Sequence, residues 1–102
     1  MQASYSLVLI KRLVSERRYQ ITVSALESAA LMGFDDESII ECIVVHLAET
    51  HFYKTMPSTS VPGLMQDVYK LAFEGRRVYL KLQVNRSKRA VIISFKEDES
   101  AI

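Results

Sequence analysis

At 102 residues, 49% of them hydrophobic and 25% charged, the chain has the size and composition of one folded domain spanning 1–102, which excludes global disorder. A lone cysteine, Cys42, excludes a disulfide framework, and no apolar run approaches a membrane span, so the chain reads as soluble and cytoplasmic with no membrane role. The net charge of +1 hides an asymmetry: residues 52–96 carry nine lysines and arginines against Asp67 and Glu74, a local +7, whereas 1–51 and 97–102 each carry −3. Such a basic block is either the footprint of a polyanion or a solvated face.

In chain order, Leu7, Ile10, Leu13 and Val14 form a helical stripe that fades at Glu16-Arg17-Arg18. A short extended piece over Gln20–Val23 follows. Ser24-Ala25-Leu26-Glu27 has the form of a capping box and opens a second helix through Leu26, Ala29 and Ala30. Gly33 suits the left-handed position past a helix end. Asp35 and Asp36 suit the start of a third helix, whose buried face is Ile39, Ile40, Ile43, Val44 and Leu47.

The period changes near residue 51. His51–Met56 reads as a strand, Pro57–Gly63 as a loop, Gln66–Phe73 as a second strand and Glu74-Gly75 as a tight turn. Val78, Leu80, Leu82 and Val84 then alternate with Tyr79, Lys81 and Gln83, and Val91, Ile93 and Phe95 alternate with Ile92, Ser94 and Lys96 after a turn at Asn85–Lys88. The expected fold class is α+β: N-terminal helices packed on one face of a C-terminal antiparallel β-sheet.

Strand parity sorts the candidate functional side chains. Pairing around Glu74-Gly75 sets Lys70 opposite Tyr79, with Gln66 on the same side. Pairing around Asn85–Lys88 sets Val78 against Phe95, Leu80 against Ile93, Leu82 against Val91 and Tyr79 against Ser94, with Lys96 diagonal. One face is then apolar, and the other carries Gln66, Lys70, Tyr79, Lys81 and Lys96. Attack of a ribose 2′-hydroxyl on its own phosphate needs a proton acceptor, a proton donor and groups that stabilise the phosphorane charge, all of which lysine, tyrosine and glutamine can supply without a metal. The residues alone do not separate this reading from an ordinary solvent-facing sheet.

Four ordered blocks sharpen the choice: Phe52-Tyr53-Lys54-x-Met56, Gln66-Asp67-Val68-Tyr69, Val78-Tyr79-Leu80-Lys81 and Val91-x-x-Ser94-Phe95-Lys96-Glu97. This arrangement, spanning Leu47 to Glu97, resembles the motility quorum-sensing regulator (MqsR) toxin family, RelE-like messenger-RNA interferases encoded with a zinc-containing, DNA-binding antitoxin. The resemblance implies the toxin of a type II toxin–antitoxin system, an endoribonuclease cutting single-stranded mRNA without cofactor or metal, contacting DNA only through its antitoxin. It implies Lys54, Gln66, Tyr79 and Lys96 as catalytic residues, with Lys54 or Lys96 as base and phosphate clamp, Tyr79 as phosphate donor or orienter and Gln66 as positioner. Tyr53, Lys70, Arg76, Arg77 and Lys81 are candidate RNA contacts, Tyr53 either stacking on a base or packing on the strand's other side.

The chain departs from the family pattern in the Pro57–Gly63 loop and in a longer final hairpin bearing Arg86, Lys88 and Arg89. It also carries an acidic tail, Asp98–Ile102, either solvated or folded back over the basic face. A non-catalytic RNA-binding module and a regulator that only binds its antitoxin are the competing readings. His46 and His51 lie in different elements with no third partner, Cys42 reads as core, and Asp67 reads as a structural carboxylate rather than a magnesium ligand.

Overall fold

The computed structural model describes residues 1–100. Helices α1 (Leu7–Ser15), α2 (Val23–Leu31) and α3 (Asp36–Glu41) pack against one face of a five-stranded sheet built from β1 (Tyr19–Ile21), β2 (Phe52–Pro57), β3 (Met65–Phe73), β4 (Arg76–Val84) and β5 (Ala90–Glu97). The strand order is β1-β5-β4-β3-β2. All neighbours are antiparallel except β1, which pairs parallel to β5. The fold is therefore α+β, as expected, with one parallel edge strand that local sequence patterns do not announce.

Helix α1 starts where the Ser6 hydroxyl accepts the Leu9 N–H at 3.3 Å. It ends at Arg17, whose φ of 62° is left-handed, so that the Arg18 N–H reaches back to the Leu13 carbonyl at 2.8 Å. Leu7, Ile10, Leu13 and Val14 form its buried stripe. The N-terminal approach to this helix is fixed by Asp67. Its fully buried carboxylate accepts the backbone N–H groups of Ser4 and Tyr5, both at 2.9 Å.

The capping box expected at Ser24 is not the start of α2. Thr22 is the N-cap, its hydroxyl oxygen accepting the Ala25 N–H at 3.0 Å while the hydroxyl donates to the Ile93 carbonyl at 3.0 Å. Thr22 wins because one hydroxyl both caps the helix and ties it to β5. Ala25 and Ala29 are fully buried, and such small side chains let α2 lie close over that strand. Gly33, at φ 90°, closes the helix with the Phe34 N–H bonded to the Ala29 carbonyl at 2.9 Å.

The third helix, expected to run to Leu47, is α-helical only to Glu41 and continues as a wide π turn over Cys42–His46. The Leu47 N–H reaches Cys42 across five residues at 2.9 Å, and Lys11 Nζ takes up the Val44 carbonyl at 3.3 Å. Widening lets Ile39, Cys42, Ile43 and Leu47 all stay buried despite a β-branched run that crowds an α-helix. His51 ends a short 3-10 turn, its Nδ1 accepting the Ala48 N–H at 3.0 Å, so the strand begins at Phe52.

Two irregularities aim side chains at the far face of the sheet. The β3–β4 register is as expected, Lys70 against Tyr79, because Glu74 and Gly75 (φ 50° and 76°) make a two-residue turn with both residues left-handed. The β4–β5 register differs from expectation: Tyr79 lies directly opposite Lys96, Leu80 opposite Phe95 and Lys81 opposite Ser94. A bulge at Ile93 then resets the pairing to Leu82 with Ile92 and Gln83 with Val91. Ile92, not Val91 or Ile93, therefore joins the core with Leu80, Leu82 and Phe95. A second bulge on β2, between Phe52 and Lys54, inserts Tyr53 as an extra residue.

Candidate active site on the open sheet face

The open face is laid out in three cross-strand rows. Lys70, Tyr79 and Lys96 form the first. Lys54, Val68, Lys81 and Ser94 form the second, and Met56 with Gln66 the third, continued by Gln83 on β4. Because the β2 bulge releases Tyr53 from strict alternation, Tyr53 and Lys54 both reach this face. Lys70 Nζ sits 4.0 Å from the Tyr53 ring centroid and Lys54 Nζ 5.6 Å from it. Tyr53 is thus a half-exposed platform on the functional side and not a packing residue behind the strand.

Tyr53, Lys54, Lys70, Tyr79 and Lys96 converge on a cleft of about 610 Å³. Lys96 Nζ lies 5.1 Å and Lys81 Nζ 6.0 Å from the Tyr79 ring centroid. Burial raises the Tyr79 pKa, helped by the Tyr53 phenol and the Asp98 carboxylate, so the phenol keeps its proton. Lys81 moves the other way: burial lowers its pKa, and Lys96 and Lys54 lower it further by like-charge repulsion.

Not every candidate lines this cleft. Gln66, only 6% exposed, lies one row beyond Lys54, its amide nitrogen 3.4 Å from Gln83 Oε1 and 3.5 Å from Ser58 Oγ. Arg77 is exposed at the edge of the face, its carbonyl accepting the Asp98 N–H at 2.8 Å. Arg76 borders the cleft but is committed elsewhere. One guanidinium nitrogen bonds the Met32 carbonyl at 3.0 Å and another grips both Glu97 carboxylate oxygens at 3.1 and 3.2 Å. It thereby joins the end of α2 to the end of β5.

The acidic tail folds back. Asp98, Glu99 and Ser100 form one wall of the cleft, and Ser28, Leu31 and Met32 of α2 form another. Ala101 and Ile102 lie outside the described residues.

A family model described as the motility quorum-sensing regulator, toxin of MqsA, matches residues 2–97. The chain belongs to this toxin family. It is 35% identical to the mRNA interferase toxin MqsR of Escherichia coli strain K12 over 88 residues, covering 86% of this chain and 87% of that protein. Membership fixes the chain as the toxin of a toxin–antitoxin pair.

In this MqsR-family chain Gln83 is a partner of Gln66 that the sequence reading passed over, although the register that sets Lys70 against Tyr79 also sets Gln83 opposite Gln66. The roles of Ser58 and of the tail needed the loop and the chain end in three dimensions. Asp67, next to Gln66, serves the fold alone. Cys42 is fully buried with its thiol pushed up to about 12, mainly by burial, so it is no nucleophile. His46 rests on Phe73 at 5.2 Å between ring centroids, remote from the lysine cluster in the chain and packed on the helix side. Glu41, His46 and Glu74 form an exposed cluster with ligand atoms within 4.8 Å of one another, and none of the three lines the cleft. No helix among the described residues is long and apolar enough to cross a membrane.

Proposed function

We propose that this toxin cleaves single-stranded mRNA at the cleft on the open sheet face, without a metal, by attack of a ribose 2′-hydroxyl on the adjacent phosphorus. The observation that carries this reading is the convergence of Lys54, Lys96 and a phenol that keeps its proton, Tyr79, on one cleft. The relative's printed description as an mRNA interferase supports it.

The bond from the 2′-oxygen to phosphorus forms as the bond from phosphorus to the 5′-oxygen of the next nucleotide breaks. A base removes the 2′-hydroxyl proton, and an acid protonates the departing 5′-oxygen. The products are a 2′,3′-cyclic phosphate and a free 5′-hydroxyl. Lys54 or Lys96 serves as base and phosphate clamp. In the clamp role the side chain's positive charge stabilises the phosphorane oxygens, and in the base role its Nζ accepts the 2′-hydroxyl proton. Tyr79 donates to the scissile phosphate or orients it. Gln66, anchored to Gln83 and Ser58, positions RNA entering from the loop side. The half-exposed Tyr53 ring stacks on a base, with Lys70 and Lys81 adding positive potential and Arg77 meeting phosphate at the rim. Arg76 shapes the α2 side of the cleft.

The same reading gives the chain a zinc-containing, DNA-binding antitoxin as partner, with DNA contacted only through it, and a cytoplasmic setting where its substrate is found. The test is primer extension on mRNA treated with purified protein in EDTA. Discrete cuts that are lost with Lys96→Ala support the reading. Binding without cutting in the wild type would make the chain an RNA-binding module instead.

A further inference from the structure

The proposed chemistry uses Lys54, Tyr79 and Lys96, gives Lys70 only a general positive potential and leaves the acidic segment after β5 unexplained. Lys70 is a lysine with a fixed position. Its ammonium lies 4.0 Å above the Tyr53 ring centroid and its row places it beside Tyr79 and Lys96. It is already occupied. Lys70 Nζ donates to Ser100 Oγ at 2.6 Å and lies 3.6 Å from Asp98 Oδ1. The Ser100 hydroxyl in turn donates to Asp98 Oδ1 at 2.6 Å, and the Ser100 N–H donates to the same oxygen at 3.2 Å. The Asp98 N–H is tied to the Arg77 carbonyl at 2.8 Å, which leaves Asp98 only 7% exposed. The turn thus brings to Lys70 one anionic oxygen and one hydroxyl oxygen, the pair that a nucleotide presents as phosphate and ribose hydroxyl.

We propose that Lys70, seated on Tyr53, is a phosphate subsite next to the scissile position, and that in the free protein the turn Asp98–Ser100 occupies it as an internal substitute for RNA. The inference rests on the ribonuclease reading of the cleft. Asp98–Ser100 lies beyond residues 2–97, the span of the family match, so family membership says nothing about it. The charges agree: Asp98 and Glu99 bring two carboxylates to a cleft lined by Lys54, Lys70 and Lys96. RNA must displace the turn before its phosphate meets Lys70, so the occupied fraction lowers apparent affinity.

The test is a binding titration of a single-stranded oligonucleotide made uncleavable by 2′-O-methylation, using full-length wild type and Asp98→Asn/Ser100→Ala. The double substitution should tighten binding by about 2–5-fold, the factor a near-surface ion pair is worth, Lys70 keeping a quarter of its side chain exposed. It should also steepen the salt dependence, by at most about 0.7 in logarithmic slope, because wild type must break the Lys70–Asp98 pair, which salt itself weakens. Repeated in a Lys70→Gln background, the same substitutions should change neither quantity. A chain ending at Glu97 serves as the second variant and should behave like the double substitution. Unchanged or weaker binding overturns the proposal, as does equal tightening in the Lys70→Gln background, which would mean a general charge effect. Wild type that binds and cuts RNA while the variants match it overturns this proposal and leaves the ribonuclease reading standing. Wild type that neither binds nor cuts removes the ribonuclease reading and this proposal with it.

Discussion

Tyr79 and Lys81 are two residues apart on one strand, yet their surroundings shift their pKa values in opposite directions. Tyr79 is held protonated by burial and by the nearby Tyr53 and Asp98 oxygens. A phenol acting as donor must carry its proton, so a raised pKa extends activity to higher pH. Single-turnover cleavage should therefore keep its donor-dependent rate past pH of about 10, where an ordinary tyrosine ionises. Tyr79→Phe should lose about 10²–10³-fold in rate while far-UV circular dichroism is unchanged. Lys81 has a lowered pKa, caused first by burial and then by Lys96 and Lys54. The unfolded chain thus binds more protons than the folded one between the folded pKa and the ordinary 10.5. The stability this group contributes is present above that ordinary value and is lost as pH falls through the folded one. Lys81→Met should accordingly raise Tm at neutral pH, and its advantage over wild type should shrink as the pH approaches 10.5. A fixed advantage across that range would point to packing instead of charge.

Single side chains tie the elements together, and these joints were the least legible part of the chain. Thr22 caps α2 and holds the Ile93 carbonyl at the β5 bulge. Thr22→Val should cost about 1–2 kcal/mol in urea unfolding, whereas Ser24→Ala, which removes the apparent capping box, should cost under about 0.5 kcal/mol. The local pattern favoured Ser24 because Glu27 follows at the right spacing. Only the path of β5 gives Thr22 its second bond. Asp67→Ala should cost about 2–3 kcal/mol, since it strands the Ser4 and Tyr5 N–H groups beside a buried site. The β3–β4 register was readable because a two-residue turn permits one pairing. The β4–β5 register was not, because Val91, Ile92 and Ile93 are all aliphatic and any of them fits the core by composition. Tyr53 stayed ambiguous for the same reason. A bulge reverses the face of a residue, and neither bulge has a glycine to mark it.

Across the whole molecule, the α+β class, the helical side of the sheet and the parity of β4 followed from hydrophobic periodicity. The parallel edge strand did not, since β1 has three residues and is paired by a strand some seventy positions away. The lysines and Tyr79 were legible as one polar face. Their function was not, because an exposed sheet carries the same residue types, and the ordered family blocks supplied that step. The architecture explains how one face can serve chemistry. The helices and apolar side chains such as Phe95 form a core on the other face, leaving the open face free to concentrate cations at some cost in stability. Phe95→Ala should cost about 3–5 kcal/mol and lose cleavage through unfolding, unlike Tyr79→Phe. The central claim is that this face cuts RNA by intramolecular 2′-hydroxyl attack. It is tested most directly by one cleavage assay in EDTA with an RNA oligonucleotide carrying a single 2′-deoxy sugar at the mapped cut. Cleavage of the all-ribose oligonucleotide to a 2′,3′-cyclic phosphate, abolished by that one missing oxygen, is the predicted result. Continued cutting at the deoxy position, or cutting that appears only when magnesium is restored, would contradict it.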